Sequence, residues 1–430
     1  MANHPHPHGH AGAGSWLEVR ATLAVVVPAA LVILAAMVWL WPPAQPEAAK
    51  GVESERFNAT ITAVNPQACP AAPQSAPGNQ PGSTVCGTVT LRLPDGTEVS
   101  VDRPAGPGAP DVAPGDDVVV LHLPDTPSGV AYQIIDHQRS NQLWILGAAF
   151  ALAVVAFGRW RGLSALAGLA VTFAVLLLFV VPAILAGESP LLVAVVGSAA
   201  IMLTVLYLTH GLNTSTTVAV AGTLASLTLT GVLSTMAVGA AHLTGVSDDT
   251  SSYLGLVHHV NMRGLLLAGI LIGSLGVLDD VTVTQAATVD ELARANPRYT
   301  FAQLYRAATR VGRAHIASVI NTIILAYAGA SLPLLVLIAA GNQPLGQVLA
   351  NQVVAQELVR SAIGTLGLIA AVPITTALAA LAASRMTPVV ADEPHRPAAV
   401  PAIPRERPAA ERGGHLAALS GETDAAPHHW

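Results

Sequence analysis

The chain has 430 residues, of which 52% are hydrophobic and 11% are charged, and its mean hydropathy is +0.55. Soluble proteins carry about 25% charged residues, so this composition excludes an ordinary soluble protein and indicates a protein embedded in the lipid bilayer. The net charge of −6 at pH 7 comes without a strongly basic segment, which argues against nucleic acid as a partner.

The amino-terminal segment 1–20 begins with histidines at alternate positions, 4-HPHPHGH-10. Such a tract can hold a divalent metal weakly, but it is more often disordered, so we predict a cytoplasmic disordered tail and no defined metal site. The next stretch, 21–41, is long and apolar and ends in aromatic residues. We therefore predict an uncleaved membrane anchor in preference to a cleaved signal peptide.

Residues 45–140 have the pattern of a small β domain. Five stretches alternate between apolar and polar residues and are separated by turn sequences such as 94-PDG-96 and 114-PGD-116. A compact five-stranded barrel is the simplest closure, so we predict a β-barrel-like domain after the first helix, with strands at 57–64, 85–93, 97–101, 117–123 and 130–135.

Cys69 and Cys86 are the only cysteines, and they flank a loop rich in proline and glycine. On the oxidising outer side of a cell membrane, two such cysteines are expected to form one disulfide that closes the loop. The alternative is two free thiols.

Seven further apolar stretches lie between residues 142 and 385. A hydrocarbon core of about 30 Å needs roughly 20 apolar residues per helix, and each stretch approaches or exceeds that length. The sequence therefore predicts an all-α polytopic membrane bundle of about eight transmembrane helices: 21–41, 142–158, 163–186, 190–209, 215–243, 262–281, 315–339 and 361–383.

The arginines predict the orientation of the bundle, because short loops rich in basic residues stay in the cytoplasm. Arg159 and Arg161 lie between the second and third predicted spans. Five more arginines lie between the sixth and seventh, namely Arg294, Arg298, Arg306, Arg310 and Arg313. Both termini are then cytoplasmic, residues 45–140 lie outside, and the segment 386–430, which lacks periodicity, forms a disordered cytoplasmic tail.

Three segments resemble the YibE/F family of bacterial polytopic membrane proteins. They are 136-DHQRSNQLWILGAAFALAVVAFGRWRGLSALAGL-169, 209-THGLNTSTTVAVAGT-223 and 276-GVLDDVTVTQAA-287. The matching residues are Arg139, the element 158-GRWRGL-163, Gly276 and Asp280, while Asp279 and Gln285 replace residues that are usually apolar in the family. The resemblance covers most of residues 130–385 and implies a permease-like protein of the cell membrane, without implying a substrate.

The sixth predicted span ends in acidic residues. At 100° per residue, one narrow face carries three glycines and the acid: Gly269, Gly273, Gly276, Asp280, Thr284, Ala287 and Glu291. Small residues allow close helix approach in a bilayer, so we expect this stripe to face protein. Asp280 would then point into the bundle within reach of Asn321 or His315, with Asp279 about 100° away.

A second interpretation of the acid places it at the end of the helix. Asp280 lies about 26 Å along the axis from Arg263, near the inner boundary of the hydrocarbon core. One aspartate would then cap a new cytoplasmic helix containing Gln285, Asp290 and Glu291.

Other polar residues fall at the same inner level. They suggest a cytoplasm-facing vestibule, although each alone is more often an interhelical hydrogen bond. The candidates are Thr204, Tyr207, Thr209 and His210, Asn213 to Thr217, His315, Ser318 and Asn321, and Thr375 and Thr376. Pro182, Pro333 and Pro373 interrupt three spans and free carbonyls that can line a cavity.

Motifs for ATP hydrolysis and for serine or zinc hydrolysis are absent from the sequence, so we predict no enzymatic activity and no cofactor. Two functions stay open. The first is a secondary transporter for an unknown small solute or ion, with a proton or cation bound at Asp280, or also at Asp279. The second is a membrane scaffold whose outer β domain contacts an envelope protein.

Overall fold

The computed structural model of the protein describes residues 13–42, 55–68, 85–104, 109–122, 132–341 and 344–386. Most of the two predicted tails and Cys69 lie outside these residues. The first helix, α1 (Ala13–Trp39), begins eight residues before the predicted anchor and includes the last part of the predicted tail 1–20.

The predicted β domain is a curled, antiparallel sheet of five strands in the order β3-β2-β1-β4-β5. Alternate residues of adjacent strands point into its core, where Val89, Leu91, Val118 and Val120 are fully buried. Irregular register at two places in β1 and β4 bends the sheet, and its edge strands β3 and β5 approach each other. The strands are β1 (Glu55–Ala68), β2 (Val85–Arg92), β3 (Glu98–Asp102), β4 (Asp117–His122) and β5 (Tyr132–His137).

An ion pair marks the junction between the sheet and the helices. The Arg139 guanidinium donates to the Asp136 carboxylate at 2.7 Å, directly before α2 begins at Ser140. This hydrogen bond lowers the pKa of Asp136 below its ordinary value, because it favours the charged carboxylate. Both side chains are exposed, so the pair contributes little to stability.

The remainder of the chain is helical. Seven helical stretches among the described residues are long and apolar enough to cross a membrane. The helices after the sheet are α2 (Ser140–Val175), α3 (Val181–Leu185), α4 (Pro190–His210), α5 (Thr214–Ala240), α6 (Asp249–Val257), α7 (Met262–Ala295), α8 (Phe301–Ala330), α9 (Leu332–Ala340), α10 (Leu345–Ala350) and α11 (Gln352–Met386).

The second and third predicted spans form one stretch, Ser140–Leu185, with a break at Arg159. Arg159 has a φ of 50°, outside the helical region. A methyl group on Gly162 would overlap the carbonyl of Val154, which in a straight helix lies about 12 Å away, so the chain bends sharply here. A π-helical turn, Leu176–Val180, precedes Pro182, whose ring does not fit a regular preceding turn.

Several predicted helix boundaries are wrong, including the start of the span predicted at 361–383, since α11 begins at Gln352. The span predicted at 315–339 is α8, which begins at Phe301 and ends at Ala330, and α9 follows with Pro333 in its first turn. The interpretation of an aspartate as a new helix cap is also wrong, because α7 continues without interruption from Met262 to Ala295. Pro373 lies within the continuous helix α11.

Helix α7 lies at the centre of the bundle and contacts α4, α5, α8 and α11. Its apolar side chains Leu271, Leu278 and Val281 are buried against residues of α5 and α11. The packing of α7 against these neighbours decides which of its polar residues face the interior.

Candidate functional site

The buried face of α7 is the opposite of the predicted one. The glycine–acid stripe, defined as Gly269, Gly273, Gly276, Asp280, Thr284, Ala287 and Glu291, is exposed at every position. Ser274, Thr282 and Gln285 are buried instead, on the face that packs against α5 and α11. The prediction that Asp280 points into the bundle is therefore wrong.

The glycines of the stripe bring no helix close within the chain. Gly269 and Gly276 have no other atom within 4 Å of the position of a Cβ, and Gly273 faces only the Tyr327 hydroxyl of α8. Close approaches occur at other glycines, among them Gly312 of α8, which lies against Gln285 and Val372, and one glycine each on α5 and α11. A methyl group on Gly222 would overlap Thr375 Oγ1, and one on Gly367 would overlap Thr230 Oγ1, so α5 and α11 pack closely through small residues.

Asp279 is the half-buried member of the acidic pair. Its Oδ1 atom is buried and has no hydrogen-bond partner among the described residues. Leu275 and Val283, one turn before and after it on the same face, pack with Met202 of α4 and Val220 of α5. The carboxyl group therefore lies on an apolar side of α7, toward α4 and α5, where hydration is reduced.

Hydroxyl groups connect α7 to α5 close to Asp279. Thr282 Oγ1 and Thr223 Oγ1 are 2.6 Å apart, and both side chains are fully buried. Each hydroxyl also lies within hydrogen-bond distance of a backbone carbonyl on its own helix. Thr282 is close to the Asp279 carbonyl, and Thr223 is close to the Ala219 carbonyl. This pair fixes the rotation of α7 against α5.

Gln285 connects α7 to the two remaining neighbours. Its Nε2 donates to the Ala308 carbonyl of α8 at 2.9 Å and to Thr376 Oγ1 of α11 at 2.7 Å. Gln285 is 3% exposed, so both donor positions are satisfied inside the bundle. The sequence marked Gln285 as a departure from the family pattern and as part of a cytoplasmic helix, but did not predict this role; the signal that could have done so was a lone glutamine among apolar residues.

Further buried hydroxyls extend this connection along α5 and α11. Thr230, Ser234 and Thr376 each donate to a carbonyl one turn earlier on the same helix, so their oxygens present lone pairs to the interior. Ser226 and Thr375 are fully buried, and their hydroxyls have no partner among the described residues. We name Thr223, Ser226, Thr230, Thr282, Thr375 and Thr376 the hydroxyl seam.

A narrow pocket lies at one end of the seam. Thr214 and Ser215 of α5, Asp290 of α7 and several alanines of α11 line it, and it has room for one or two water molecules. The pocket and the seam lie on the same three helices, about two turns apart. A larger groove of about 420 Å³ between α4 and α5 is almost wholly apolar and contains no predicted site residue.

The other predicted residues do not gather around Asp280. Asn321 is exposed, and His315 is half-buried, with its Nε2 atom buried and without a partner in the described part of the chain. Asn213 caps α5 by accepting from the Thr216 amide, and its Nδ2 donates to the His210 carbonyl. His210 and Asn213 therefore have a structural role at the start of α5.

The described residues hold no group of three or more histidine, cysteine or acidic side chains that fits a metal ion. The comparison with known families gives one match, to the YibE/F-like protein family over residues 146–385. The chain belongs to the YibE/F-like family. The match covers more than half of the sequence and includes α4, α5, α7 and most of α11, so the whole hydroxyl seam and Asp279 lie within the family region. No curated protein and no solved structure matches the chain.

Proposed function

We propose that this YibE/F-like membrane protein is a secondary transporter or permease in which the Asp279 carboxyl group binds the coupling proton or cation. The observation that carries the proposal is the Oδ1 atom of Asp279, which is buried and has no hydrogen-bond partner among the described residues, in a helix long and apolar enough to cross a membrane. Charge inside the bilayer is costly, although less so near its boundary than the roughly 3 kcal/mol at its centre, and a buried carboxylate with a purely structural role is normally hydrogen-bonded. The absence of such partners favours a group that changes its protonation or ligand.

The hydroxyl seam supports a cation or proton as the bound species. Hydroxyls that donate to carbonyls of their own helix offer only acceptor lone pairs to a solute. Oxygen acceptors beside one carboxyl group attract a cation and repel an anion. The free hydroxyls of Ser226 and Thr375 add two donors, which suits a small polar solute that follows the seam.

The narrow pocket near Asp290 supports access from the end where α7 meets the arginine-rich loop. In the proposed orientation that end is cytoplasmic, so the solute would leave or enter the seam between Thr214 and Asp290. We infer that transport needs no covalent chemistry and no cofactor.

Solute-dependent proton movement tests the proposal. The full-length protein is reconstituted into phosphatidylcholine vesicles containing a pH-sensitive dye, and separate pools of amino acids, sugars and alkali-metal salts are added outside. We expect one pool to change the internal pH with the wild-type protein. Asp279→Asn should abolish that change, because it removes the titratable group and retains shape and polarity.

Asp280→Asn is the matched control, because Asp280 is the adjacent, exposed aspartate. It should retain most of the activity. Equal activity of Asp279→Asn and wild type would overturn the assignment of Asp279. If none of the solute pools changed the internal pH with folded wild-type protein, the alternative function would be favoured, in which the outer β domain binds an envelope protein.

We further propose that the protein lies in the bacterial cell membrane with both termini cytoplasmic, and that Cys69 and Cys86 form a disulfide outside. Cys86 lies on β2 opposite Gln67 of β1, and Cys69 follows Gln67 by two residues in the sequence. On intact cells, a membrane-impermeant maleimide should label neither cysteine before treatment with an impermeant reductant and both afterwards. Labelling without reduction would contradict the disulfide, and labelling only after lysis would contradict the orientation.

A further inference from the structure

Helices α7 and α8 present two exposed stripes of opposite charge. The acidic stripe is the glycine–acid stripe of α7, which contains Asp280 and Glu291. On α8 the residues opposite its buried face form a basic stripe, defined as Arg306, Arg310, Arg313, Ala317 and Asn321, and all five are exposed. The two helices are joined by residues 296–300 and contact each other, so both stripes lie on exposed faces of one antiparallel helix pair.

The charges of the two stripes are not used within the chain. Among the residues that the structure describes, Asp280 forms no ion pair, and neither do the three arginines of the basic stripe. Glu291 has only a 4.0 Å contact with Arg294 on its own helix. Charged residues in membrane helices normally pair with one another or with backbone carbonyls and seldom face lipid alone.

The charges also lie at matching depths. The Tyr327 hydroxyl lies beside Gly273, and Gln285 donates to the Ala308 carbonyl, so α7 and α8 are antiparallel. Counted five residues along each helix from the Gln285–Ala308 contact, Asp280 is level with the turn of α8 that contains Arg313. By the same count, Glu291 is level with residue 302, about one turn of α8 from Arg306.

We propose that these stripes form an isologous interface between two copies of this chain. The α7 stripe of one copy packs against the α8 stripe of the other, and a two-fold axis repeats the contact. Asp280 of each copy then forms an ion pair with Arg313 of the other, so both charged side chains gain a partner. Gly269, Gly273 and Gly276 allow the helices to approach closely in the bilayer, where packing drives association.

The test counts subunits of the full-length, fluorescently labelled protein in phosphatidylcholine vesicles at low density by stepwise photobleaching. We expect wild-type protein to be dimeric. Asp280→Arg and Arg313→Asp should each raise the dissociation constant at least about tenfold, because each places like charges together. The double variant D280R/R313D should restore the dimer, since it reverses both charges of the pair.

Three further variants separate assembly from folding. Gly276→Leu has open space around the new side chain in one copy, so it should keep the thermal stability of the monomer and block the dimer. Gly147→Leu, which enters open space on α2, and Arg298→Asp, in the loop before α8, should stay dimeric. A monomeric wild type, a dimer unaffected by Gly276→Leu, or basic-stripe variants that change only the binding of anionic lipid would each overturn the proposal.

Discussion

At the scale of single residues, two adjacent aspartates have different surroundings because one step along a helix turns a side chain by about 100°. Asp280 is exposed, whereas Asp279 has a buried oxygen without a partner. The sequence predicted an acidic site in this turn, and the small residues favoured Asp280 as its inward member. The small residues identified the wrong face, because α7 packs against α5 and α11 through larger apolar side chains and through Thr282 and Gln285.

Glycines of α11 allow a matched test of close packing at the residue scale. Gly367→Ala places a methyl group against Thr230 Oγ1, which must move and lose its hydrogen bond to the Ser226 carbonyl. We expect the free energy of unfolding to fall by about 1–3 kcal/mol, as for other overpacked cores. Thermal unfolding in detergent measures the change.

Gly364→Ala on the same helix is the control, because a Cβ there has no other atom within 4 Å. It should leave stability unchanged or raise it by up to about 1 kcal/mol through helix propensity. Equal destabilisation by both substitutions would show that the contact of α5 with α11 is not tight at Gly367.

At the scale of elements, the alternating pattern placed the bounds of all five strands within about two residues of those observed, except at the carboxyl end of β1, which the structure places at Ala68 and the pattern at residue 64. Helix ends were harder to place. The sequence 300-TFAQ-303 forms a capping box. Thr300 Oγ1 accepts from the backbone N–H of Gln303, and Gln303 Oε1 accepts from the backbone N–H of Thr300. That signal was present in the sequence, yet hydropathy placed the start of the span at residue 315, because the first turns of α8 are polar.

At the scale of the whole molecule, composition predicted a membrane protein, and the family match together with seven apolar helical stretches supports that class. The packing partners of α7 could not be derived from the sequence, because apolar residues occur around much of its circumference and no single face stands out. The location of Asp279 depends on those partners, since α4 and α5 supply the apolar cluster beside it. The site is therefore a property of the folded bundle and not of the local motif.

The most direct test of the central claim is whether Asp279 is the aspartate that holds a proton away from water. Dicyclohexylcarbodiimide adds to protonated carboxyl groups in apolar surroundings, and mass spectrometry of the full-length protein in vesicles locates the adduct. We expect the adduct on Asp279, with less labelling as the pH rises, no adduct in Asp279→Asn and unchanged labelling in Asp280→Asn. An adduct mainly on Asp280, or undiminished labelling of this turn in Asp279→Asn, would contradict the account.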